Sequence, residues 1–116
     1  MEEIVSKRSS ITVQIGLNAN NLPLEMHWTA DDGGITNAPA RAMMLSLWNP
    51  EDNNTMKIDL WTKDMMVDEM GDFFYQMMMT MADTFDRATH QTELVGEMKS
   101  FAKTFYTKFK KTLEQQ

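Results

Sequence analysis

The feature that most constrains this chain is a change of period across residues 58–70. Up to Trp61, apolar and polar residues alternate, as in a strand with one face turned to a core. From Val67 the apolar residues recur every three or four positions, as in a helix. Everything before this block reads as strand and turn, and everything after it as helix. Strands first and helices after imply an α+β chain, with an antiparallel sheet covered by helices.

The first strand is expected over residues 10–17, with Ile11, Val13, Ile15 and Leu17 on one face. Residues 18–23 form a turn rich in Asn, which tolerates unusual backbone angles. The second strand, 24–29, turns Leu24, Met26 and Trp28 inward. Pairing Leu17 with Leu24, Ile15 with Met26 and Val13 with Trp28 matches the two apolar faces. Residues 31–39, punctuated by Gly33, Gly34 and Pro39, read as a crossover or mobile loop. A third strand (41–48), a loop (49–54) and a fourth strand (55–62) follow. Their apolar faces match if Leu47 pairs Met56, Leu45 pairs Ile58 and Met43 pairs Leu60. The expected fold is a four-stranded antiparallel sheet followed by two C-terminal helices packed on one face, β-β-β-β-α-α. Ile58 and Leu60 are expected to face the core.

The first helix is expected to start near Asp64 as N-cap, with Asp68 and Glu69 placed against the helix dipole. Val67, Met70, Phe74, Met77, Met78, Met81, Phe85 and Ala88 form its apolar stripe, which must bury against the sheet. Residues 88–93 are a weak break with neither Gly nor Pro. Thr89 or Thr92 is a candidate cap for a second helix, whose stripe holds Leu94, Met98, Phe101, Ala102, Phe105, Phe109 and Leu113. A single kinked helix over 65–113 is the alternative.

A chain of 116 residues is expected to form one domain with one core, with residues 1–9 as a flexible N-terminal segment. It has no cysteine, which excludes disulfides, thiolate nucleophiles and zinc–thiolate sites. The first ten residues contain no signal-like apolar run, and no stretch approaches the ~20 apolar residues of a membrane span. A cytoplasmic location is therefore expected. A net charge of −6 argues against nucleic-acid binding, which needs clustered Lys and Arg. The charge is uneven. Asp64, Asp68, Glu69, Asp72, Asp83, Asp86 and Glu93 face only Arg87 within 64–93, whereas five lysines dominate 94–116. Oppositely charged helix surfaces explain this, as does helix pairing between subunits.

No residue set demands a reaction. His27 and Glu25, two apart on one strand face, and the isolated His90 lack a metal-ligand spacing. Gly33-Gly34 lacks the Lys and helix start of a phosphate loop. The acids at 31–32 and 51–52 lack the alternation of a calcium loop. Met77, Met78, Met79 and Met81 point in different directions around a helix, so they suit core filling or an adaptable binding surface better than a copper site. No catalytic, cofactor-binding or metal residues are assigned, and no cofactor is expected. The strongest signal for a partner is the outer sheet face. There Met44, Trp48 and Trp61 stand where a solvated face would be polar. Either another part of the chain folds over them, or they bind a protein partner or a second copy.

The block at 58–70, with Met-Met-Leu-Ser-Leu-Trp-Asn at 43–49 ahead of it, resembles the gliding-motility-associated GldC family. The Ile11-Thr12-Val13 to Met26-His27-Trp28 hairpin shares the resemblance, which runs from about residue 9 to 111. Met66 departs from it, standing where proline is expected at a helix start. The Met77-Met78-Met79 run is a second departure. The resemblance implies a small soluble protein accessory to gliding motility, non-enzymatic and without catalytic residues to carry over. Its expected partner is a protein of the gliding or secretion machinery. The strand-then-helix order is also similar to the export chaperone SecB, an analogy of architecture that implies a homo-oligomer with exposed apolar groups.

Overall fold

The computed structural model describes residues 3–115. Five strands precede two helices: β1 (Ile11–Leu17), β2 (Pro23–Ala30), β3 (Ile35–Ala40), β4 (Ala42–Asn49), β5 (Asn54–Trp61), α1 (Val67–Thr89) and α2 (Thr92–Glu114). The class is α+β, but the single four-stranded sheet is not what forms. The strands make a three-stranded sheet, β1-β2-β3, and a two-stranded ribbon, β4-β5. All pairings are antiparallel. The chain divides into two compact units, Met1–Met65 and Met66–Gln116. Of the expected N-terminal segment 1–9, Met1 and Glu2 lie outside the described residues.

The additional strand, β3, lies in the segment read above as a crossover. Asp31-Asp32-Gly33-Gly34 is instead a hairpin turn. The Gly33 N–H donates to the Ala30 carbonyl at 3.1 Å, and Gly34 takes φ +68°, a backbone region closed to most side chains. β3 does not look like a strand because Pro39 cannot donate to a ladder and Asn37 breaks the alternation. Pro39 is tolerated at an edge, and β3 is an edge strand of its sheet. Asn37 sits at φ 51°, where the ladder slips between Trp28 and Ala30, and its N–H donates to Thr29 Oγ1 at 3.0 Å.

The β1–β2 register pairs Ile15 with Met26 and Val13 with Trp28, as the apolar pattern requires. At the turn, Leu17 pairs Pro23 rather than Leu24, because a bulge falls between Gly16 and Leu17. Asn18 closes that turn, its Oδ1 accepting from the N–H groups of Asn20 (2.8 Å) and Leu22 (3.1 Å). The β4–β5 register is the one expected: Met43–Leu60, Leu45–Ile58 and Leu47–Met56.

The expected burial of that last face does not hold. Leu47, Met56 and Ile58 are 59%, 58% and 56% exposed, and Leu60 is only half-buried. The buried apolar side chains among the described residues are Met26, Ala82, Val95 and Ala102. Alternation places side chains on a face but does not provide the layer that covers it, and a two-stranded ribbon has little sheet of its own to fold over.

α1 and α2 form an antiparallel hairpin, which rules out the single kinked helix. α1 ends with His90 in the left-handed region (φ 56°), its N–H donating to the Asp86 carbonyl at 2.8 Å. Neither threonine is the cap of α2, since its N-cap is Gln91. Thr89 Oγ1 accepts from the Gln91 N–H at 3.3 Å across the corner. The start of α1 also moves. Met66 is the N-cap, and the Glu69 carboxylate reaches back to accept its N–H at 3.3 Å. Asp64 stays outside the helix because its carboxylate accepts the Thr62 hydroxyl at 2.6 Å.

The two helices meet along a seam of small residues, Gly71 and Ala82 from α1 with Val95 and Ala102 from α2. The Phe109 ring packs directly on Gly71. Tyr75 stacks on Tyr106 at 4.4 Å, and the Tyr106 hydroxyl donates to Asp72 at 2.6 Å. Lys99 pairs with Asp83 at 2.7 Å. On α1 the interhelix contact is thus rotated from the stripe of large residues named above, whereas on α2 it includes Ala102 and Phe109 of the expected stripe.

Candidate functional site

The β4–β5 ribbon carries all three candidate interface residues. Period two puts Met44 and Trp48 on one face of β4, and the register sets Trp61 on the same face opposite Ala42. They do not form one patch. Trp48 lies opposite Thr55, six positions along from Ala42, so the two indoles are separated by about 20 Å. Ser46, Lys57 and Asp59 occupy the space between, with Lys57 Nζ 3.2 Å from Asp59 Oδ2. Met44 is half-buried, whereas Trp48 and Trp61 are 63% and 55% exposed.

Trp61 has the more developed surroundings. It lines a cleft of 410 Å³ with Leu22, Pro23, Asp59, Leu60 and Lys63. The backbone there is fixed from two sides. The Thr62 N–H donates to the Arg41 carbonyl at 2.8 Å, and the Lys63 N–H donates to the Pro23 carbonyl at 3.1 Å. Thr62 itself is buried. Its hydroxyl bond holds the Asp64 carboxyl below the usual carboxylate range against the opposing effect of burial, with a lesser contribution from the Arg41 charge. Trp61 is therefore a large apolar group on a rigid base with a charged rim, the combination that favours a binding anchor. Trp48 stands alone near the 49–54 loop, which Asn49 organises by accepting the Glu51 N–H at 3.0 Å.

Two further apolar surfaces escaped the sequence reading. One is the opposite ribbon face, with Leu45, Leu47, Met56 and Ile58 exposed. The other is a groove of 490 Å³ between α1 and α2, lined by Met78, Met81, Phe85, Leu94, Glu97, Met98 and Phe101. Phe101 is 65% exposed there, and Met81, read above as core filling, is also exposed. In a linear sequence an apolar stripe looks the same whether it is covered or bare. The available hint was the methionine content, thirteen residues, which suits adaptable surfaces.

His27 and Glu25 line a small cleft with Arg41, Thr62 and Asp64. Among the described residues no group of three or more His, Cys, Asp or Glu side chains is placed to hold a metal ion. No described helix is long and apolar enough to cross a membrane.

Residues 23–111 match the family model described as gliding motility-associated protein GldC-like. No curated protein and no solved structure matches the chain.

Proposed function

The chain belongs to the gliding-motility-associated GldC-like family, and from that premise we propose that it is a non-enzymatic accessory protein that acts by binding another protein. The observation that carries this reading is Trp61, exposed on a backbone fixed by the Thr62–Arg41 and Lys63–Pro23 hydrogen bonds. A rigid aromatic beside a charged rim gives affinity at little entropic cost. The proposed partner belongs to the gliding or secretion machinery. The protein is proposed to work in the cytoplasm, as a homo-oligomer and without a cofactor.

Affinity capture from a gliding cell tests the reading. Wild-type bait is expected to retain a defined partner, and Trp61→Ser bait to lose at least about tenfold of it, since a truncated aromatic hot spot costs roughly 2 kcal/mol. Equal recovery with both baits would remove Trp61 from the account.

The groove between α1 and α2 favours a second reading, a SecB-like chaperone for unfolded export clients. Its lining is almost wholly apolar and rich in methionine. Salt-insensitive binding of unfolded apolar peptides, lost in Phe101→Ser, would support this reading over the first.

A further inference from the structure

We propose that the outer edge of β5 pairs antiparallel with the same edge of a second copy, about a two-fold axis through Ile58. The inference deepens the homo-oligomer element of the reading above and commits it to one surface. β4–β5 is a two-stranded sheet, so among the described residues one edge of β5 has no strand partner, and Pro23 accepts from that side only beyond the strand, at the Lys63 N–H. Isolated two-stranded ribbons are marginal in water, and an exposed apolar edge is a template for another strand.

Charge selects the occupant and the register. With the axis at Ile58, Lys57 lies opposite Asp59 of the second copy, and Asp59 opposite its Lys57. Two complementary pairs thus arise from one self-complementary strand, as an isologous interface requires. Moving the axis one residue either way sets Lys57 against Lys57 or Asp59 against Asp59. The same axis sets Ile58 against Ile58 and Met56 against Leu60. It thereby joins the two exposed apolar faces into one four-stranded face, β4-β5-β5-β4. The other sheet edges offer no such selection: β1 and β4 carry no charged residue, and β3 contains Pro39.

Sedimentation equilibrium of the full chain tests the pairing. The wild type is expected to self-associate. Lys57→Asp or Asp59→Lys alone sets like charges opposite each other twice, and is expected to weaken association by at least about tenfold. Mixing the two variants restores opposite charges across the interface, although each chain has lost its own Lys57–Asp59 bridge, so a 1:1 heterodimer near wild-type affinity is expected. A second measurement does not depend on those variants. The chain has no cysteine, and Ile58→Cys places two thiols face to face within the Cα separation a disulfide accepts. A mild oxidant is expected to give a covalent dimer from Ile58→Cys and not from Thr36→Cys. A wild type that stays monomeric, single variants that associate like wild type, or no covalent dimer from Ile58→Cys would overturn the inference. A wild type that captures its partner but stays monomeric overturns the edge pairing alone. A wild type that dimerises while Trp61→Ser captures the partner as well as wild type overturns the Trp61 reading alone.

Discussion

Gly71 and Gly96 show that one residue type plays two roles in the same helix pair. At Gly71 the Phe109 ring occupies the space a Cβ would take, whereas at Gly96 nothing lies within 4 Å of that position. The helical cost of glycine is the same at both, so packing decides the sign of a substitution. Gly71→Val is expected to lower stability by about 1–3 kcal/mol, the usual cost of overpacking. Gly96→Ala is expected to raise it by about 0.5–1 kcal/mol through helix propensity. Denaturant unfolding of both variants against wild type measures the two changes. A stabilised Gly71→Val would mean that Phe109 does not pack there.

At the scale of elements, the α1–α2 hairpin depends on polar as well as apolar contacts. The hydrogen bond to Asp72, with burial and the Asp72 charge adding to it, holds the Tyr106 hydroxyl above its usual range. A group whose pKa is raised on folding contributes its stability fully below the unfolded value, and loses it as the pH climbs through the folded one. Wild type is therefore expected to be more stable than Tyr106→Phe at neutral pH, and to lose that advantage once the tyrosine ionises in the alkaline range. Melting temperatures of both proteins across that range provide the check. An advantage that persists undiminished would contradict the hydrogen bond. The elements themselves were largely legible. The β4–β5 register followed from matching Leu47 to Met56, and the strand-to-helix switch followed from the change of period at 58–70. β3 was not legible, because Pro39 and Asn37 break the pattern that identifies a strand. On α1 the helix seam was missed because Gly71 and Ala82 add little to an apolar stripe, yet allow close backbone approach, whereas Ala102 and Phe109 lie on the stripe expected for α2. Of the candidate site, the shared face of Met44, Trp48 and Trp61 was legible from alternation. Their separation was not, since it depends on pairing Trp61 with Ala42 and Trp48 with Thr55.

Across the described residues of the molecule, few large apolar side chains are fully buried, and many stay exposed. Trp61, the bare ribbon face and the interhelix groove are each open to another protein. Membership of a gliding-motility-associated family gives those surfaces a setting. The proposed function rests on protein contact at Trp61. Its most direct test is a photo-crosslinking side chain placed at position 61 in a gliding bacterium, with the exposed Lys103 position as control. A discrete adduct with one gliding-machinery protein is expected from position 61 and none from position 103. Adducts from neither position, or the same adducts from both, would contradict it.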